Sequence, residues 1–113
     1  MNTLIGVAEL KPLIDQSSDV RVFDCRFSLQ NPATGLRAYE KGHLPGAMFA
    51  DMAQDLSTPH IPGVSGRHPL PAKAVWIKKV RNWGLHPQVQ VVLYDDATGA
   101  GAARMWWMLK WIG

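Results

Sequence analysis

Val89-Gln90-Val91-Val92-Leu93-Tyr94 is followed by Asp95-Asp96-Ala97-Thr98-Gly99-Ala100-Gly101-Ala102 and then by Ala103-Arg104-Met105-Trp106-Trp107-Met108-Leu109-Lys110-Trp111-Ile112-Gly113. The first run is β-branched and apolar, the composition of a strand buried on both faces of a parallel sheet. The small residues after it let the backbone turn sharply into a helix whose positive end faces the loop. Strand, loop and helix in this order predict an α/β domain, and ligands of open α/β sheets bind beyond the carboxyl ends of the strands. What such a site does depends on what the loop carries. Its first residue is Asp95, and it contains neither Cys nor Ser.

Upstream, the chain supplies further elements of the same class. Val7, Leu10 and Ile14 fall three and four residues apart, which predicts a short helix with Glu9 in its first turn and an irregularity at Pro12. Val20-Arg21-Val22-Phe23 reads as the first buried strand, ended by Asp24-Cys25-Arg26. Ser28 to Gly42 is a polar excursion with Leu36 and Tyr39 on a short helix. Gly42-His43-Leu44-Pro45-Gly46-Ala47 is a turn whose two glycines can take positive φ, and Met48-Phe49-Ala50 is a short strand after it. Pro59 to Pro71 is an extended loop that closes on Gly66-Arg67-His68-Pro69-Leu70-Pro71. A helix then places Trp76, Val80 and Trp83 on one stripe, with Lys73, Lys78, Lys79 and Arg81 off it and Gly84 at its end. The last helix is apolar almost all round, so a sheet covers one side and further protein another.

Composition bounds the function. A chain of 113 residues that is 47% hydrophobic fits one globular domain with a core. The net charge of +3 comes from scattered Lys and Arg with no basic run, which argues against nucleic acid or an anionic membrane as partner. A single cysteine excludes an internal disulfide framework, and no signal peptide or membrane span is legible. The expectation is a cytoplasmic protein.

Two residue types invite catalytic readings. Cys25 follows a strand, but no Gly-rich loop leads from it into a helix, and it reads as a small buried residue. His43, His60, His68 and His86 are scattered, without metal-ligand spacing, so no metal is expected.

Asp24-Cys25-Arg26, Tyr39 with Gly42-His43-Leu44-Pro45-Gly46-Ala47, Gly66 to Pro71, and Tyr94-Asp95 followed by Ala103-Arg104-Met105-Trp106-Trp107-Met108 resemble, in order, the rhodanese family. The narrower resemblance is to the N-terminal, non-catalytic domain of two-domain sulfurtransferases that use thiosulfate or 3-mercaptopyruvate. It implies a three-layer α/β/α domain with a parallel sheet in the order 1-5-4-2-3. It also implies Asp24, Arg26, Gly42, His43, Gly46, Arg67, His68, Arg104 and Trp106 as structural motif residues, and no metal or organic cofactor. In the family, a cysteine directly after the fourth strand of the C-terminal catalytic domain carries sulfur as a persulfide to cyanide or a thiol. Asp95 stands at the matching position here, and a carboxylate forms no persulfide. The implied partner is that catalytic domain, with Phe27, Asp95, Asp96, Gly99, Ala100 and Gly101 on the pocket wall or domain interface. Ala100 and Gly101 replace the aromatic residues of some relatives, which widens the pocket. The fifth strand has no counterpart before Gly113, so residues 1–113 are expected to be a truncated domain or a complemented half.

Other classes fit the same loop less well. Aspartate-nucleophile phosphatases need a second aspartate two residues after the first, where this chain has Ala97. Gly99 to Arg104 departs from a dinucleotide loop in its last position and in its distance from the strand. A rhodanese-like module that only binds a partner protein is the alternative that the missing cysteine equally permits.

Overall fold

The computed structural model describes residues 4–16, 19–28, 31, 33–58, 68–96 and 99–113, so that Arg67 and most of the proline-rich loop lie outside the described residues. The elements run α1 (Val7–Gln16), β1 (Val20–Asp24), α2 (Thr34–Lys41), β2 (Met48–Phe49), α3 (Lys73–Asn82), β3 (Gln90–Tyr94) and α4 (Ala100–Ile112).

The three strands are parallel, in the order β2-β1-β3. Asp24 at the end of β1 lies in register with Tyr94 at the end of β3 and with Phe49 of β2, so the carboxyl ends of all three strands open on one edge. Read from β3, this is the 4-2-3 run of the family order. Counterparts of the first and fifth strands do not occur among the described residues.

Val22 and Phe23 explain the layering. Neighbours along a strand point to opposite faces, and both are buried, so the sheet is covered on two sides. On one side Val22 and Val92 pack with Leu10 of α1 and Ala47. On the other, Phe23 packs with Trp76 and Val80 of α3, Met105 and Met108 of α4, and Leu56. The Trp76 indole is fully buried, and its N–H donates to the Met108 carbonyl at 2.9 Å, which joins α3 to α4. A buried indole N–H needs such an acceptor.

Two local expectations are corrected. The last helix begins at Ala100, not Ala103: Gly99 takes φ 85°, and the Asp95 carboxylate receives backbone N–H groups of the first turn. Gly42 is extended at φ 174°, and within the Gly42 to Ala47 turn only Gly46, at φ 75°, needs glycine's freedom. Gly84 ends α3 as expected, in the left-handed conformation at φ 77° directly after the cap residue Trp83. α4 is sealed along Gly101, Met105 and Met108, whereas Trp106 and Trp107 are 43% and 47% exposed. Trp107 stacks on Trp111, and the Lys110 ammonium lies 5.6 Å from the centre of the Trp106 ring.

Candidate functional site

The edge where β1 and β3 end carries two aspartates in different settings. Asp24 is completely buried. A charge there is tolerable only with partners, and the fold supplies a full set. One carboxylate oxygen accepts the Arg26 backbone N–H and Nε at 3.0 Å, and the other accepts Arg26 Nη2 at 2.5 Å and the Tyr94 hydroxyl at 3.1 Å. Hydrogen bonding to Asp24 pushes the Arg26 guanidinium up, and burial does the same to the Tyr94 phenol.

The network continues into the turn after α2. Arg26 Nη2 also donates to the Gly42 carbonyl at 2.7 Å, and Tyr94 Oη accepts the Leu44 N–H at 3.2 Å. His43 stacks on Tyr39, 3.8 Å between ring centres, and its Nδ1 lies 2.7 Å from the Tyr39 carbonyl oxygen. The Tyr39 hydroxyl donates to the Ala47 carbonyl. Asp24, Arg26, Tyr94 and the Gly42 carbonyl are thus tied into one braced corner, with the stacked His43 and the positive-φ Gly46 in the turn beside it. The sequence reading missed Tyr94 as a member, because its contact with Asp24 spans 70 positions. A polar tip on an otherwise apolar strand was the available signal.

Asp95, the first residue after β3, sets the loop. Its Oδ1 accepts the Gly99 N–H at 3.1 Å and its Oδ2 the Ala102 N–H at 2.9 Å. A carboxylate at the start of a helix satisfies otherwise orphaned donors and meets the positive end of the dipole. Ala100 opens the helix, and Asp96 is exposed. Asp96 adds a negative charge near Arg26.

Gly101 is buried because α4 lies against the chain leaving β1. A methyl at Gly101 would sit 2.3 Å from the Cys25 carbonyl oxygen and 3.1 Å from the Phe27 ring. The half-buried Phe27 meets His68 edge to face, 5.9 Å between ring centres. Arg104, one turn further along α4, donates from Nη2 to the carbonyls of Leu56 at 2.8 Å and His68 at 2.9 Å. Phe27, Gly101, His68 and Arg104 are therefore brought together beside the Asp95 loop. Trp106 faces solvent elsewhere on α4.

Cys25 is 1% exposed, and burial, with Asp24 and Asp95 adding to it, pushes its thiol up to about 12. Its sulfur lies 3.8 Å from that of Met105. A nucleophilic cysteine needs access and a lowered pKa, and this site gives neither. Among the described residues, no group of three or more His, Cys, Asp and Glu could hold a metal, and no helix is long and apolar enough to cross a membrane.

Residues 6–113 match the model of the rhodanese-like domain. A protein of Pseudomonas aeruginosa named "Probable 3-mercaptopyruvate sulfurtransferase" is 55% identical over 95 residues, covering 84% of this chain and 34% of that protein. The 3-mercaptopyruvate sulfurtransferase of Escherichia coli K12 is 29% identical over 112 residues, 96% of this chain and 38% of that protein. The solved structure of 3-mercaptopyruvate sulfurtransferase from Leishmania major superposes with a TM-score of 0.77 at 37% identity, over 88% of this chain and 28% of that one. The chain thus spans about a third of the length of the curated relatives it matches.

Proposed function

The chain belongs to the rhodanese-like domain family, and from that premise we propose that it is the N-terminal, non-catalytic domain of a two-domain sulfurtransferase. The observation that carries this reading is Asp95. It stands where the family's catalytic domain has its cysteine, and its carboxylate takes up the Gly99 and Ala102 N–H groups that open α4. Those donors, which beside a cysteine would favour a thiolate, here hold a carboxylate of the chain itself. Cys25, buried behind them, supplies no substitute.

In this proposal the nucleophile belongs to a C-terminal rhodanese domain. Its cysteine thiolate attacks the outer sulfur of thiosulfate, or the sulfur of 3-mercaptopyruvate. A cysteine persulfide forms as sulfite or pyruvate leaves, and a thiol or cyanide then takes the sulfane sulfur. The present domain packs against that one and contributes a wall of the pocket from Phe27, His68 and the loop from Asp95 to Gly101. The names of the relatives support 3-mercaptopyruvate as the sulfur donor.

The test compares residues 1–113 with the protein from the full reading frame, assaying thiosulfate with cyanide and 3-mercaptopyruvate with a thiol. Turnover in the longer protein alone is expected. Turnover by the short chain would overturn the reading. Silence in both would favour a partner-binding module, for which the exposed Trp106 and Trp107 offer a surface.

A further inference from the structure

The geometry points to Arg104 as the positioning residue of the site: it holds the His68 segment so that the His68 ring stands against Phe27. Gly101 and Arg104 lie three residues apart, on one side of the first turns of α4. Gly101 lets the helix approach the Cys25 carbonyl and the Phe27 ring. Arg104 reaches past it to the carbonyls of Leu56 and His68. Leu56 and His68 stand close in sequence to residues that are joined to each other as well, the Thr58 N–H donating to the Pro69 carbonyl at 2.9 Å.

The choice of residue is what needs explaining. Among the described residues Arg104 has no carboxylate partner, and its Nε is buried without an acceptor. Burial lowers its pKa, so the cation is held at a cost. An apolar side chain of similar length would fill the space without that cost. It could not grip two carbonyls at once, and hydrogen bonds from a cation are the strong ones. One guanidinium nitrogen thus ties an irregular segment to a helix, and the segment carries the ring that meets Phe27 at 88°. As a statement about catalysis this rests on the function proposed above; as a statement about geometry it does not.

The test has two independent readouts. In residues 1–113, labelled at His and Phe, the cross-relaxation between the Phe27 and His68 rings is compared in the wild type, Arg104→Met and Arg104→Lys. Methionine keeps an unbranched stem and removes the donors, so at least a threefold loss of the signal is expected in a folded domain. Lysine restores donors and should keep more than half of it. An unchanged signal in folded Arg104→Met overturns the proposal. Should the methionine variant not fold, Arg104→Lys is read alone: a retained ring contact supports the proposal, whereas a lost contact, or a lysine variant that also fails to fold, overturns it. In the full-length protein, Arg104→Met should raise the KM for the sulfur donor about fivefold or more with kcat within twofold, and Arg104→Lys should recover most of that. An unchanged KM refutes the catalytic part even if the ring contact is lost. Absence of turnover in the wild-type full-length protein refutes the proposed function and leaves the ring experiment to judge the geometry.

Discussion

Two adjacent parallel strands each lead into an aspartate, and the two carboxylates are stabilised in opposite ways. Asp24 closes β1 in complete burial, under a guanidinium and a phenol. Asp95 follows β3 near the surface and faces the backbone N–H groups that start α4. The first arrangement braces three segments against one another, and its charge is tolerable only because Arg26 is there. The second starts a helix and could be replaced by any good acceptor. Position in the sheet therefore says little about an aspartate's task; its donors say most.

The largest effect should come from breaking the first arrangement. Asp24→Ala strands Arg26 and releases Tyr94, and removing one partner of a buried pair costs roughly 3–5 kcal/mol. Urea denaturation would show it, and a loss below about 1 kcal/mol, the scale of a single neutral hydrogen bond, would mean that the two aspartates are equivalent after all. Gly101→Ala comes next. Alanine in place of glycine ordinarily stabilises a helix by about 1 kcal/mol, but here the new methyl meets the Cys25 carbonyl, and overpacking of this kind costs about 1–3 kcal/mol. A raised Tm would refute the close approach of α4 to the end of β1.

Cys25 lies between the two aspartates and senses both. Its folded pKa of about 12 exceeds the ordinary 9.0, so the folded state keeps a proton that the unfolded state releases. The resulting stability is fully present below pH 9 and is lost as pH rises through 12, by up to about 1.4 kcal/mol per pH unit. Wild type should lose more stability than Cys25→Ala between pH 9 and 10.5; parallel curves would show that the thiol is not sealed. The smallest effect is expected at Asp95. Asp95→Ala should cost about 1 kcal/mol, as loss of a helix-capping acceptor does, with Asp95→Asn recovering most of it. A cost at Asp95 equal to that at Asp24 would erase the distinction.

Most of the fold was legible because its signals are local. The β-branched runs at Val20 and Val89, the stripe of Trp76 and Val80, and the turn at Gly46 each depend on a few neighbouring residues. The parallel order β2-β1-β3 came through resemblance, since no local pattern says which strands pair. The start of α4 was misplaced because Ala100-Gly101-Ala102 has no apolar period, and a carboxylate five residues earlier decides it. Asp24, Arg26, Gly42 and Tyr94 all stand in the stretches that carry the resemblance, but the bond from Tyr94 to Asp24 was not legible, and neither was the reach of Arg104 to two carbonyls 36 and 48 positions away. Contacts that link distant segments through backbone oxygens leave no mark on residue type at the accepting end.

The uneven burial of the tryptophans gives the protein a built-in optical contrast. Trp76 is sealed in the core, while Trp106 and Trp107 face solvent and lysine ammonium groups lie over the rings of Trp106 and Trp111. Iodide, drawn to those cations, should quench the red edge of the emission more strongly than caesium does and leave the blue edge from Trp76 largely intact. Anything that covers the outer face of α4 would then be visible as lost iodide quenching, with no label attached to the chain.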